Sequence, residues 1–219
     1  VPMSVPAELA KLDEVQVLLS AGAGGRTIVA TAQLTAPGIV SEAIKPSKDG
    51  LVRRDLHVIV PTGNISTMVV HLKPVKNQQV KRFAWFEKKG EQPELVQTLS
   101  GTYTPYLRYM NKPYDNSSPD ARDKTYKVFH HLYDLTGKRL VTNGGHTDEN
   151  ITDAKTLKYP HHRGIMYGFN QCSFGPDLKQ KADTWHCPPK GNLHAHVAHE
   201  KNLSAETGPV LGRHRVLVG

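Results

Sequence analysis

Residues 15–34, Val15-Gln16-Val17-Leu18-Leu19-Ser20-Ala21-Gly22-Ala23-Gly24-Gly25-Arg26-Thr27-Ile28-Val29-Ala30-Thr31-Ala32-Gln33-Leu34, decide the fold. Two β-prone runs, 15–19 and 27–34, flank a glycine-rich turn, and their branched side chains suit a pleated, half-buried surface. The glycines invite comparison with a phosphate loop. Such a loop needs Gly-Lys and then Ser or Thr opening a helix, whereas Arg26-Thr27-Ile28-Val29 opens a strand. The stretch therefore predicts a β-hairpin.

The same grammar recurs outward from it. Residues 56–60 and 66–72 read as another strand pair joined across Pro61-Thr62-Gly63-Asn64; in the second run Met68, Val70 and Leu72 alternate with Thr67, Val69 and His71. His57 and His71 read as ordinary strand residues. Residues 81–87 form a further strand candidate, and the polar, turn-rich 88–93 places a boundary near residue 95. The chain then divides into a small N-terminal β-sandwich module, 1–95, without convincing chemistry of its own, and a His-rich antiparallel β-sandwich domain, 96–219.

In the second part, 104–110 is an aromatic strand that ends at the turn signals Asn111-Lys112-Pro113 and Asn116-Ser117-Ser118-Pro119-Asp120. Residues 128–134 follow as a strand, with Thr136-Gly137-Lys138-Arg139 turning into 140–142. His130-His131 reads as a strand pair with one imidazole in and one out. Asp115, Asp120 and Asp123 lack the twelve-residue calcium-loop pattern and read as a solvated acidic loop. With 18 Gly and 15 Pro in 219 residues, many turns between short strands are favoured over long helices. The expected fold class is all-β, an antiparallel sandwich.

Composition also narrows the partners. The net charge of +8 is spread along the chain with no aromatic-interleaved basic block, which argues against nucleic acid as the partner. No apolar run approaches the ~18 residues of a membrane span. The two cysteines, Cys172 and Cys187, rule out a multi-disulfide scaffold and a four-cysteine zinc site; one loop-closing bridge and two buried thiols remain equal readings. The chain opens at Val1 with no initiator Met, which leads us to expect an exported, periplasmic protein, with the cytoplasm as the alternative.

Chemistry concentrates in Tyr159-Pro160-His161-His162-Arg163-Gly164-Ile165-Met166-Tyr167-Gly168-Phe169 and in Asp183-Thr184-Trp185-His186. Imidazoles, a guanidinium, a carboxylate and an indole within a short span supply the hydrogen-bonding, cationic and stacking groups of a polar-ligand site. In an extended segment His161 and Arg163 share one face and His162 the other; a curl at Pro160 brings both imidazoles to one side. Asp183 with His186 predicts an orienting carboxylate–imidazole pair, and His161, Asp183 and His186 are the expected catalytic residues. Arg163, Trp185, His162 and, in the polar loop 143–150, His146 are the expected ligand contacts. His194-Ala195-His196 puts two imidazoles on one strand face, so His194 and His196 are candidate ligands for a divalent metal alongside His161, Asp183 and His186. Neither a Gly-x-Ser-x-Gly elbow nor a papain-like cysteine is present, which disfavours nucleophilic hydrolysis.

The aromatic Pro105-Tyr106 strand, the long polar loop, Pro160-His161-His162-Arg163-Gly164 and Asp183-Thr184-Trp185-His186 together resemble the PmoA-like family of bacterial β-sandwich proteins, named for methane oxygenase. Val1-Pro2-Met3-Ser4-Val5-Pro6 and residues 56–72 also resemble that family's N-terminal region. The resemblance implies a supersandwich-like fold related to carbohydrate-active proteins and a sugar-type ligand. It also implies further strands beyond Gly219, so that the sheet is completed by missing chain, by a second copy or by a partner. Three functions are expected in turn: binding of, or acid/base chemistry on, a carbohydrate-type ligand; a non-catalytic binding or assembly subunit; and, as the family name asserts, a metal-dependent oxygenase.

Overall fold

The structure is a computed structural model describing residues 1–12, 14–21, 27–60, 68–75, 82–87, 89–148, 150, 155–159, 161–186 and 195–219. Strand outweighs helix, 47% against 8%, in four mostly antiparallel sheets, so the chain belongs to the all-β, sandwich-like class. Two compact units are present: Val1–Ala84 with Thr98–Ser100 and Glu206–Arg213, and Trp85–Gln97 with Gly101–Ala205 and His214–Gly219. The expected boundary near residue 95 lies inside a strand, Glu94–Leu99, and the chain crosses between units more than once.

In the first unit the strands are β1 (Pro2–Pro6), β2 (Glu14–Ala21), β3 (Thr27–Thr35), β4 (Leu51–Val58) and β5 (Met68–Pro74), with a one-turn helix α1 (Ile39–Glu42). Their order is β1-β4-β3-β2-β5. The hairpin read from residues 15–34 is present, with Val15 opposite Ala32, Val17 opposite Ala30 and Leu19 opposite Ile28; its glycine turn lies outside the described residues. Val15, Val17, Leu19, Ala30, Ala32, Leu34 and Leu56 form the core of this unit. Period-two alternation puts these side chains on one face, where removing apolar area from water is the main stabilising term.

One expectation fails here. Among the described residues, 56–60 and 68–72 do not pair with each other: β4 is flanked by β1 and β3, and β5 pairs with β2 instead, Leu72 opposite Val17. The N-terminal strand fills the edge of β4 that a local hairpin would have used. Gln33, 1% exposed, is polar at a core position because its amide serves a returning segment. Its Nε2 donates to the Thr207 carbonyl at 3.2 Å, and its Oε1 accepts from Leu211 N at 2.8 Å and Val210 N at 3.3 Å.

The remaining strands are β6 (Phe83–Phe86), β7 (Glu94–Leu99), β8 (Thr102–Met110), β9 (Phe129–Leu132), β10 (Ile165–Met166), β11 (Cys172–Phe174), β12 (Gln180–Ala182), β13 (His199–Glu206) and β14 (Arg213–Val218). They form a five-stranded sheet, β10-β9-β8-β7-β6, and two ribbons, β11-β12 and β13-β14. The turn signals around residues 116–120 open a second helix, α2 (Pro119–Thr125), rather than a plain acidic loop. Ser118 accepts from Ala121 N at 3.1 Å as its N-cap, with Pro119 just inside it. In β8 and β9, Tyr109 lies opposite His130 and Arg108 opposite His131; Tyr109, at 1% exposed, is the most buried large side chain of this sheet.

Candidate functional site

Residues 161–164, the His-His-Arg-Gly of the segment, are not an extended strand. Only Ile165–Met166 is β, paired with His130 and Phe129, and the residues before it turn, His162 N donating to the Tyr159 carbonyl at 2.9 Å. Face alternation therefore does not separate the two imidazoles. The polar loop holds the turn by backbone: Gly144 N donates to His162 O at 3.0 Å, and Tyr159 N donates to Gly144 O at 2.8 Å. Gly144 sits at φ +57°, and a Cβ there would lie 2.8 Å from Tyr159 O. Gly164 is required by space, since a Cβ would come within 2.5 Å of the Phe129 ring and 2.6 Å of His130 O. The Pro160 that was to provide the curl lies outside the described residues.

The second segment is built around Asp183. Its Oδ1 accepts from Trp185 N at 2.8 Å and His186 N at 3.0 Å, and its Oδ2 meets His186 Nδ1 at 2.8 Å. A short carboxylate thus nucleates its own turn and orients the imidazole three residues on. Burial pushes the Asp183 carboxyl up, but the two backbone N–H groups and the His186 side chain outweigh it and hold the pKa below the usual carboxylate value. Thr184 and Phe169 tie the two segments together, Thr184 N donating to Phe169 O at 2.8 Å and Phe169 N to Thr184 Oγ1 at 2.9 Å.

The rings converge. His161 lies 4.4 Å from His162, 5.3 Å from His186 and 6.3 Å from Trp185, and His162 lies edge-on to Trp185 at 5.4 Å, all between centroids. Burial lowers the His161 pKa, and His162, His186 and Lys127 lower it further, so the uncharged imidazole is favoured. With Nδ1 of His186 turned to Asp183, Nε2 is the ring nitrogen left for a ligand. Three imidazoles and an indole beside an ionised carboxylate can accept or donate a proton at a bound hydroxyl or carbon acid and can stack on a ring.

Not every expected residue joins them. Arg163, beside His162, is 5% exposed, an interior group. His146 turns its Nε2 to the Thr156 carbonyl at 2.8 Å. His196 stacks on Tyr114, with centroids 4.3 Å apart, and His194 lies outside the described residues. Among the described residues no group of three or more His, Cys, Asp or Glu is arranged to hold a metal ion. Cys172 is free, its sulfur 4.0 Å from the Phe169 carbonyl, and Cys187 lies outside the described residues.

Two features went unread in the sequence. Lys127, 3% exposed, donates from Nζ to Trp185 O at 2.8 Å and His161 O at 3.2 Å. Its only sequence signal is a lysine inside the apolar run Tyr126-Lys127-Val128-Phe129. The second is an imidazole cluster around Tyr109, in the same unit. His130 stacks on the Tyr109 ring at 4.6 Å, His199 and His214 meet it edge-on, and Trp85 lies 4.5 Å from His214. The Tyr109 hydroxyl is 3.1 Å from His199 Nδ1. Burial first, then His214, pulls His130 down to about 4, and burial pushes Tyr109 up to about 12. These residues are scattered over β6, β8, β9, β13 and β14, so no local motif announces them.

In the other unit a cavity of about 300 Å³ is lined by Val1, Leu56, His57, Val58, Val210 and Leu211. It contains none of the expected site residues. No family model, no curated protein and no solved structure matches this chain. Among the described residues no helix is long and apolar enough to cross a membrane.

Proposed function

We propose that the cluster of His161, His162, Trp185 and His186 binds a small polar ligand of carbohydrate type and moves a proton on it. The observation that carries this reading is the Asp183–His186 pair at 2.8 Å with the His161 ring 5.3 Å away. Two imidazoles, one of them oriented by an ionised carboxylate, are an acid/base couple for a substrate that fits between them. Trp185 supplies a stacking face for a sugar ring. The resemblance to the PmoA-like family supports the choice of ligand class. In this reading His186 and His161 are the acid/base residues and Asp183 orients His186.

The test is solvent exchange. Monosaccharides and sugar acids incubated with the protein in D2O and followed by NMR are expected to take up deuterium at carbon. His186→Ala and His161→Ala are expected to slow that uptake roughly 10²–10⁴-fold while the fold is kept. Full activity in both variants overturns the assignment.

A second reading, a binding or assembly module, is favoured by one observation. Tyr167 and Phe169 are 71% and 51% exposed and pack edge-on at 5.1 Å, an apolar pair on the segment that follows the site, of the kind interfaces use. A stable monomer in size-exclusion chromatography contradicts obligatory assembly.

A further inference from the structure

We infer that Lys127 is the positioning residue of this site: its ammonium, donating to the carbonyls of His161 and Trp185, holds the two ring-bearing segments in one arrangement. The inference deepens the ligand-site reading above and rests on it for its functional meaning. His161 and Trp185 belong to segments far apart in sequence, and Lys127 comes from a third, beside β9. One atom, Nζ, reaches both carbonyls, at 3.2 Å and 2.8 Å. The same ammonium lies over the Tyr126 ring at 4.6 Å and the Trp185 ring at 5.4 Å, and the Tyr126 hydroxyl donates to the same Trp185 carbonyl at 3.4 Å.

A buried cation is expensive to desolvate, and where packing alone is needed a hydrophobic side chain of similar length serves as well or better. Here the cation meets two carbonyl dipoles and two aromatic faces, each of which recovers part of that cost. Its position also has an electrostatic consequence. Burial is the largest influence that lowers the His161 pKa, followed by His162, His186 and Lys127, with Asp183 behind His186, so the Lys127 charge adds to what disfavours the protonated imidazole. Lys127 therefore acts on the imidazole twice, through the backbone it holds and through its field.

The experiment is NMR on the full chain labelled with ¹⁵N and ¹³C, comparing the native protein with Lys127→Met. In a folded Lys127→Met protein, judged by unchanged His130 and Tyr109 resonances, the His161–Trp185 ring contact is expected to be lost. The His161 titration midpoint is expected to move up toward that of an ordinary imidazole. A folded variant that keeps both the contact and the midpoint overturns the inference. If the variant does not fold, the native protein decides: slowly exchanging Lys127 ammonium protons with coupling across the hydrogen bond to the Trp185 carbonyl support it. Exchange as fast as that of the exposed Lys201, without such coupling, overturns it. No ligand enters these measurements, so their failure is distinct from a failure of the deuterium-uptake test.

Discussion

Acidifying the protein tests the Tyr109 cluster quantitatively through His130. An imidazole in the unfolded chain titrates near 6.5, and in the folded protein burial and the neighbouring His214 lower this to about 4. The folded-state value is the depressed one, so the unfolded chain takes up the proton first. Stability is complete above pH 6.5, falls as pH drops from 6.5 to about 4, and is flat in this term below that. A gap of about 2.5 units at 1.36 kcal/mol each is about 3 kcal/mol, a large fraction of the 5–15 kcal/mol typical of a domain. His214, lowered mainly by its own burial and then by His199 against a smaller opposing pull from Glu87, acts in the same direction. The assay is urea unfolding by far-ultraviolet circular dichroism at pH values from 7.5 to 4, on the native protein and on His130→Phe. The variant keeps a ring against Tyr109 but has no proton to gain. Its stability is expected to vary by about 3 kcal/mol less across that range, and carboxylate titration cancels in the difference. Parallel profiles for the two proteins, or a native His130 resonance that titrates near 6.5, refute the reasoning.

Three further outcomes are expected of the protein. At the alkaline end, Tyr109 is raised from 10 to about 12, so stability present below pH 10 is expected to decline as pH rises to 12; denaturation midpoints of Tyr109→Phe should lose that decline. Asp183→Asn removes the charged acceptor of three hydrogen bonds and is expected to cost about 1–3 kcal/mol and to slow deuterium uptake, measured by urea titration and by the exchange assay. Gly164→Ala forces a methyl against Phe129 and the His130 carbonyl; a loss of about 1–3 kcal/mol is expected in thermal unfolding, and a variant as stable as the native protein contradicts the packing described.

What was legible in the sequence was local. The hairpin of residues 15–34 announced itself because both strands and their turn are contiguous, and Val15, Val17 and Leu19 carry the alternation that the sheet buries. The Asp183–His186 pair was legible for the same reason, since a carboxylate three residues before an imidazole can cap its own turn and reach the ring. What failed was non-local. Nothing in residues 56–72 says that Pro2–Pro6 will claim one edge of β4 and send β5 to β2. Strand alternation misjudged His161 and His162 because the backbone turns there, held by Gly144 from a loop before it. Lys127 and the Tyr109 cluster were invisible because each is assembled from elements distant in the chain.

The most direct measurement is a titration of the ¹⁵N-labelled protein with monosaccharides and sugar acids, following the two indole signals and the imidazoles. Trp85 and Trp185 are the only tryptophans, and they sit in different clusters, beside His214 and beside His161 and His162. Saturable shifts at Trp185, His161 and His186, with Trp85 and His130 still, are the predicted result. Shifts at Trp85 and His130 alone, or none at any indole or imidazole with any sugar tried, contradict the account.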